Sequence, residues 1–225
     1  FAGGDVVPPE PMVEEVSEWS TSASIYMWAA GISGETARGD EIDISFSDIL
    51  DNFKMAFMGN VAAQKGKWGV ESDIVYMHLG NDIDRSFLLQ DFSFKAWIIT
   101  PMVTYAFLED DHLTLKGLAG TRYLYMKPRV NNRETSGNNW DAIVGIKGDY
   151  AFNEKWFMPF HFDVGTGETD VTWQAFAGVG YKYESFDLMA GYRYLEWNFD
   201  ENDQGGKIFN DLTISGPVIG AKFRF

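Results

Sequence analysis

The chain has 225 residues, 33 acidic against 18 basic side chains, and a formal charge of −15. That balance excludes a nucleic-acid partner, because such partners present a basic face to phosphate. No cysteine occurs, so no disulfide framework holds the fold. The longest uncharged stretch, Trp19 to Gly34, carries four serines and a threonine; a spanning helix needs ~20 mostly apolar residues.

In chain order, residues 1–17 read as a Pro-rich, acidic periplasmic tail with no apolar leader core, so a signal peptide is expected to have been removed already. From 18 to 225, segments of alternating polarity follow one another. Strands are expected near 18–34, 53–64, 67–79, 88–108, 112–128, 140–152, 155–164, 171–183, 186–199 and 207–225. Tight turns such as Lys65-Gly66-Lys67 alternate strictly with longer polar loops such as Glu35–Asn52. This predicts an all-β, up-and-down antiparallel transmembrane β-barrel of ten strands, with short periplasmic turns and longer extracellular loops. Eight strands is the alternative. An even number returns both ends to the periplasmic side.

The first strand has no clean apolar face. In the loop after it, Phe46, Ile49, Leu50 and Phe53 recur at helical spacing, with Ser45 or Ser47 placed to cap. A short amphipathic helix is expected there. It either packs locally on the rim or acts as a lid for a hydrophobic ligand or lipid. Around Lys95–Pro101 both faces are apolar and Pro101 lacks a ladder donor, which predicts a bulge or a change of face. From residue 140 onward the alternation is clean: Trp140, Ala142, Val144 and Ile146 oppose Asp141, Lys147 and Asp149. Aromatics collect toward the ends of the apolar faces, as in the two girdles of a membrane barrel.

A charge facing lipid near the midplane costs ~2–4 kcal/mol. The polar faces are therefore expected to point inward. They carry Lys54, Glu71, Asp73, Lys116, Arg122, Asp141, Lys147, Asp149, His161, Asp163, Lys182, Asp187, Arg193, Lys222 and Arg224. Both signs are mixed. One reading is a salt-bridge network that fills the lumen and fixes register; the other is a narrow pathway for small solutes.

Two features carry a resemblance. The terminal strand, with Gly220, Phe223 and a final Phe225, resembles the signal of Gram-negative outer-membrane barrels that the barrel-assembly machinery reads. The stretches Tyr26–Gly31, Ser45–Leu50, Ala56–Gly59 and Lys67–Gly69 resemble a largely uncharacterised proteobacterial family of small outer-membrane barrels. The resemblance implies a bacterial outer-membrane location, with lipid and lipopolysaccharide as surroundings, and attaches no activity.

Catalytic readings are weak. His78, beside Asp82 and Asp84, gives at most half of the outer-rim site of the ten-stranded omptin proteases. Ser72 and His78 share a face, as the Ser and His of outer-membrane lipid A deacylases do, but six residues separate them by ~20 Å. His112 falls in a turn. The acidic clusters Asp40/Glu41/Asp43 and Asp200/Glu201/Asp203 match no calcium loop and read as solvated loops, open to an unknown protein partner. No cofactor or metal is expected. The leading expectation is a non-enzymatic barrel with a structural or interaction role, passing small solutes or hydrophobic ligands at most narrowly. A rim-located hydrolase acting on peptide or lipid is the rival.

Overall fold

The computed structural model describes residues 18–36, 39, 41–51, 53–81, 92–130, 133–199 and 209–225. The N-terminal tail, residues 1–17, lies outside them. The strands are β1 (Ser20–Trp28), β2 (Gly31–Thr36), β3 (Glu41–Ile44), β4 (Phe53–Lys65), β5 (Trp68–Asn81), β6 (Phe92–Glu109) and β7 (Leu113–Val130). They continue as β8 (Arg133–Glu134), β9 (Gly137–Ala151), β10 (Trp156–Gly167), β11 (Val171–Lys182), β12 (Phe186–Asn198) and β13 (Phe209–Arg224), with one helix, α1 (Phe46–Asp51).

Neighbours in sequence pair antiparallel, and β1 closes the sheet on β13 from Ser22↔Arg224 to Trp28↔Val218. β2 carries that same register onward along β13, so β1 and β2 form one stave. With β3 and β8 set outside the wall, the closed barrel has ten staves. Closure on β13 pairs most of the sheet's edge, which otherwise cannot stand in a membrane; on the other side β1 pairs β4 from Ser20↔Gln64 to Ile25↔Gly59.

Turn chemistry agrees with the tight side. Gly66 adopts φ 55° between Lys65 and Trp68, which close the β4–β5 hairpin; a side chain there would pay the left-handed penalty. At the β6–β7 turn Asp110 Oδ1 accepts from the backbone N–H groups of His112 and Leu113, both at 2.8 Å. Those two donors hold its carboxyl below the ordinary carboxylate range.

The face change expected near Lys95–Pro101 does not occur. β5 and β6 pair without a slip from Trp68↔Tyr105 to Asn81↔Phe92. Toward β7 the ladder skips Thr100 and Pro101, then resumes in the same register at Met102↔Gly120. Pro101 withholds one N–H and faces outward, which a strand absorbs without turning over. The bulge falls later, between Ala106 and Leu108.

The exterior is apolar. Val103, Val144, Ile146, Val179, Leu188 and Ile219 stand exposed between two belts of paired rings. On the side of the tight turns Trp68 meets Tyr105 (4.8 Å), Trp156 meets Tyr181 (5.0 Å), and Tyr183 stacks on Phe186 (4.9 Å). On the opposite side Tyr76 meets Trp97 (4.4 Å), Tyr123 meets Trp140 (4.6 Å), and Trp173 stacks on Tyr194 (4.6 Å). Trp173 and Tyr181 lie eight positions apart on β11, roughly 26 Å along a strand and ~20 Å along the axis of a tilted barrel. That is close to the ~25 Å apolar band of a membrane barrel.

Candidate functional site

The interior is layered, and its middle layer is a hydrogen-bonded ion network. Arg193 on β12 reaches across the lumen to β5, where Nη2 donates to Asp73 Oδ2 at 2.9 Å. Its Nη1 donates to the Tyr26 hydroxyl (2.9 Å), and Nε and Nη2 both donate to Gln174 Oε1 (3.0 and 2.6 Å). The Tyr26 hydroxyl donates in turn to Asp73 Oδ1 (2.8 Å), and the Trp28 ring lies 4.6 Å from the guanidinium. Beside it, Arg122 Nη2 donates to Asp163 Oδ1 at 2.6 Å and Nη1 to Thr172 Oγ1 at 2.9 Å. Arg122 and Asp163 are both 0% exposed. His161 Nε2 lies 2.6 Å from Asp163 Oδ2, and Gln174 Nε2 donates to that same oxygen at 3.4 Å. Gln174 thus joins the two clusters into one network.

Each buried charge in this layer has a counter-charge and neutral partners, the condition under which ions tolerate burial. Strand alternation delivers them. Thr172 and Gln174 alternate with Trp173 and Ala175 on β11, and Asp187 and Arg193 with Leu188 and Tyr192 on β12.

Toward the tight turns the lumen widens into a cavity of ≈ 220 Å³ bordered by Ser22, Glu71, Lys147, His161, Met189 and Lys222, among others. Lys147 Nζ lies 2.7 and 2.8 Å from the two Glu71 oxygens, Lys116 donates to Gln64 Oε1, and Arg224 pairs with Asp187. Asp149 and Lys222 line this mouth without entering those pairs. Lys182 is exposed and stands 5.5 Å from the Phe157 ring. Asp141, buried near the opposite end, accepts from the Thr169 N–H (3.0 Å) and Oγ1 (2.8 Å) and so holds the β10–β11 loop. The side chain of Lys54 lies outside the described residues.

The layer at the loop end is apolar. Trp28, Met58, Val75, Leu79, Ile98, Leu195, Trp197 and Leu212 belong to one buried cluster in which Leu195 and Trp197 are 0% exposed. Strand polarity places charges on the inward face together with bulky residues such as Phe176 and Met189, which border the cavity at the tight-turn end, and gives no expectation of this plug. Two signals for it were in the sequence: the first strand and the segment before Pro101 had apolar residues on both faces. In a membrane barrel, that pattern reports lipid on one side and a packed interior on the other.

The loop helix is present over Phe46–Asp51. Ser45 is its cap. Its Oγ accepts from the Asp48 N–H (3.3 Å), while its own N–H donates to Asp48 Oδ2 (3.1 Å). Ser47 hydrogen-bonds Ser45 instead. Ile49 is buried in the apolar cluster, with Ile42 and Ile44 of β3 packed against it. Phe46 is half-buried, and the side chains of Leu50 and Phe53 lie outside the described residues. Strand β3, unforeseen in the sequence, uses a four-residue alternation in which Ile42 and Ile44 point in and Glu41 and Asp43 are exposed.

His78 and Ser72 sit on the outward face of β5, opposite in parity to Glu71 and Asp73. Asp82 and Asp84, expected beside His78, lie outside the described residues, as do Asp40, Asp200, Glu201 and Asp203. Among the described residues no group of His, Asp or Glu is arranged to hold a metal ion. At the chain end, Gly220 pairs with Tyr26, Phe223 with Ala23 and Phe186, and Phe225 exchanges backbone hydrogen bonds with Thr21.

An apolar exterior, two aromatic belts and an ion-paired interior define the architecture of membrane-spanning β-barrels. No protein-family model matches the chain, and no curated protein matches it. Among solved structures, it is similar to Ail, the attachment invasion locus protein of Yersinia pestis, at 13% identity and a TM-score of 0.43, over 93% of this chain and 99% of that one. Neisserial surface protein A is similar at 13% identity and 0.43, over 94% and 100%. The outer membrane protein OprG of Pseudomonas aeruginosa is similar at 13% and 0.36, over 93% and 97%. At these scores the likeness carries no argument; the barrel stands on its own ladder.

Proposed function

We propose that this chain is a bacterial outer-membrane barrel with a structural or interaction role and no catalytic chemistry, closed to solutes by its own interior. The observation that carries this reading is the apolar cluster around Trp197 and Leu195. A polar pathway rising from the cavity at the tight-turn end meets the Arg193–Asp73 network and then an apolar layer whose unpaired polar groups include two buried indole N–H donors, those of Trp28 and Trp197, too few to replace a solute's hydration shell. Desolvating such a solute without replacement bonds is unfavourable.

Lipid and lipopolysaccharide would surround the exterior, and the assembly machinery would read the strand ending in Phe223 and Phe225. The exposed Glu41 and Asp43 of β3 are where a protein partner would approach. The test is conductance of the purified protein in a planar bilayer, after unboiled and boiled samples have shown the mobility difference of an intact barrel. No steady conductance is expected; a stable ohmic current through the wild-type protein overturns the closed reading.

A further inference from the structure

The barrel wall is incomplete at one place. β1 pairs with β4 from Ser20↔Gln64 to Ile25↔Gly59 and stops. Continued, that register would set residues 26–31 against residues 58–53. Instead β1 and β2 stay on β13, β2 gains β3 only from Ile32↔Ile44 onward, and Phe53–Met58 of β4 keeps β5 alone. Among the described residues this leaves a seam six positions long on each side. Across it the Trp28 backbone N–H donates to Met58 Sδ at 3.3 Å.

Three observations say what the seam meets. Its outer lips are greasy and exposed: Met27 on one side (62%), just above Ile25 of the last paired rung, and Met55 and Phe57 on the other (both 53%). It begins six positions above the first residue of β1, and ~9–11 residues cross the apolar band, so the seam opens in the outer half of that band. Behind it stands the apolar cluster, roofed by Ile49 of α1 and by Ile42 and Ile44 of β3. The inner lip is not purely apolar, because the Trp28 indole N–H is buried without an acceptor. Lipid also leaves unpaired strand edges unsatisfied.

We propose that the seam between β1 and β4 is a side portal that admits one acyl chain of an outer-leaflet lipid. The hydrocarbon lies against the cluster, and an ester or hydroxyl near the lipid head accepts from the open edge. Met58, a flexible thioether, is the stopper. The portal rests on the outer-membrane reading and extends it.

The test uses the full chain in vesicles of phosphatidylcholine brominated along its acyl chains, which quenches tryptophans within reach of the chain. Trp68, on the lipid-facing belt, reports membrane embedding. Trp197, buried in the same cluster behind the unbroken ladder of β12 with β13, reports how far quenching reaches through the wall. Trp28→Phe is expected to remove a share of the quenchable emission, as Trp68→Phe does, while Trp197→Phe removes none. Met58→Ala should raise the Trp28 share. In this cysteine-free chain, a Met27→Cys/Phe57→Cys disulfide should abolish that share and leave the Trp68 share intact.

If Trp68 is quenched and Trp28 is not, even with Met58→Ala, the portal is wrong and the membrane reading survives. If neither is quenched, the membrane reading fails and takes the portal with it. A disulfide-linked dimer through Met27→Cys alone assigns the seam to a second copy of this chain and overturns the lipid occupant.

Discussion

Arg193 and Asp73 lie 120 positions apart in sequence and 2.9 Å apart in space, joining β12 to β5 across the barrel. The contact has no local cause. Each residue is delivered inward by its own strand's alternation, and the Tyr26 hydroxyl and Gln174 amide take up donors and acceptors that the pair leaves over.

That arrangement predicts an asymmetry. Arg193→Met strands a buried carboxylate and is expected to cost ~3–5 kcal/mol, whereas adding Asp73→Leu to it recovers most of the loss, because an apolar replacement of a whole buried pair is often neutral. The check is the temperature at which the unboiled gel species converts to the boiled one, compared across the two single variants and the double variant.

The inside-out arrangement has its own test on β9. Val144 is exposed on the outer face between the aromatic belts. Val144→Arg is expected to destabilise the barrel by ~2–4 kcal/mol in vesicles, the cost of a charge at the midplane. Urea unfolding of the vesicle-bound protein measures it. A change of only a few tenths would place this face in water.

Trp197 anchors the apolar plug. Trp197→Ala is expected to cost ~3–5 kcal/mol through lost burial and a cavity. It should also let water into the loop-end layer, so that conductance events absent from the wild type appear in a planar bilayer. Loss of stability with no gain in conductance would mean that other residues seal the lumen.

At the β6–β7 turn, Asp110 is held ionised by two backbone donors, so its folded pKa lies below its unfolded value of 3.8. A depressed carboxyl stabilises the fold above the unfolded pKa, and that contribution disappears as pH falls through the folded one. Asp110→Asn keeps the acceptor oxygen and removes the charge. The difference in unfolding midpoint between wild type and variant should be constant above about pH 5 and shrink to nothing in acid. A difference independent of pH would assign the effect to turn geometry.

Much of the wall was legible in advance because a strand's faces follow from a period of two. Trp140 to Ile146 and Val171 to Val179 could face only one way. The expected stave limits differ from those found by a few residues, as at 140–152 against Gly137–Ala151. The helix over Phe46–Asp51 was legible from spacing and its serine cap. Strand β3 was not, since four residues alternate too briefly to stand out from a loop.

The sequence by itself carried an all-β barrel of ten alternating staves, with eight as the alternative, the outward face of the strands from residue 140 onward, and a set of charges expected inward, since these depend only on neighbours along one strand. The tertiary structure alone decided which inward groups meet. Arg193 faces Asp73, while Arg122 faces Asp163. It alone showed that the loop end of the lumen is packed with apolar side chains and that the β1–β4 ladder stops at Ile25↔Gly59. Those facts depend on how the staves are registered around a closed ring. A register set by closure and packing between distant strands leaves no trace in local alternation.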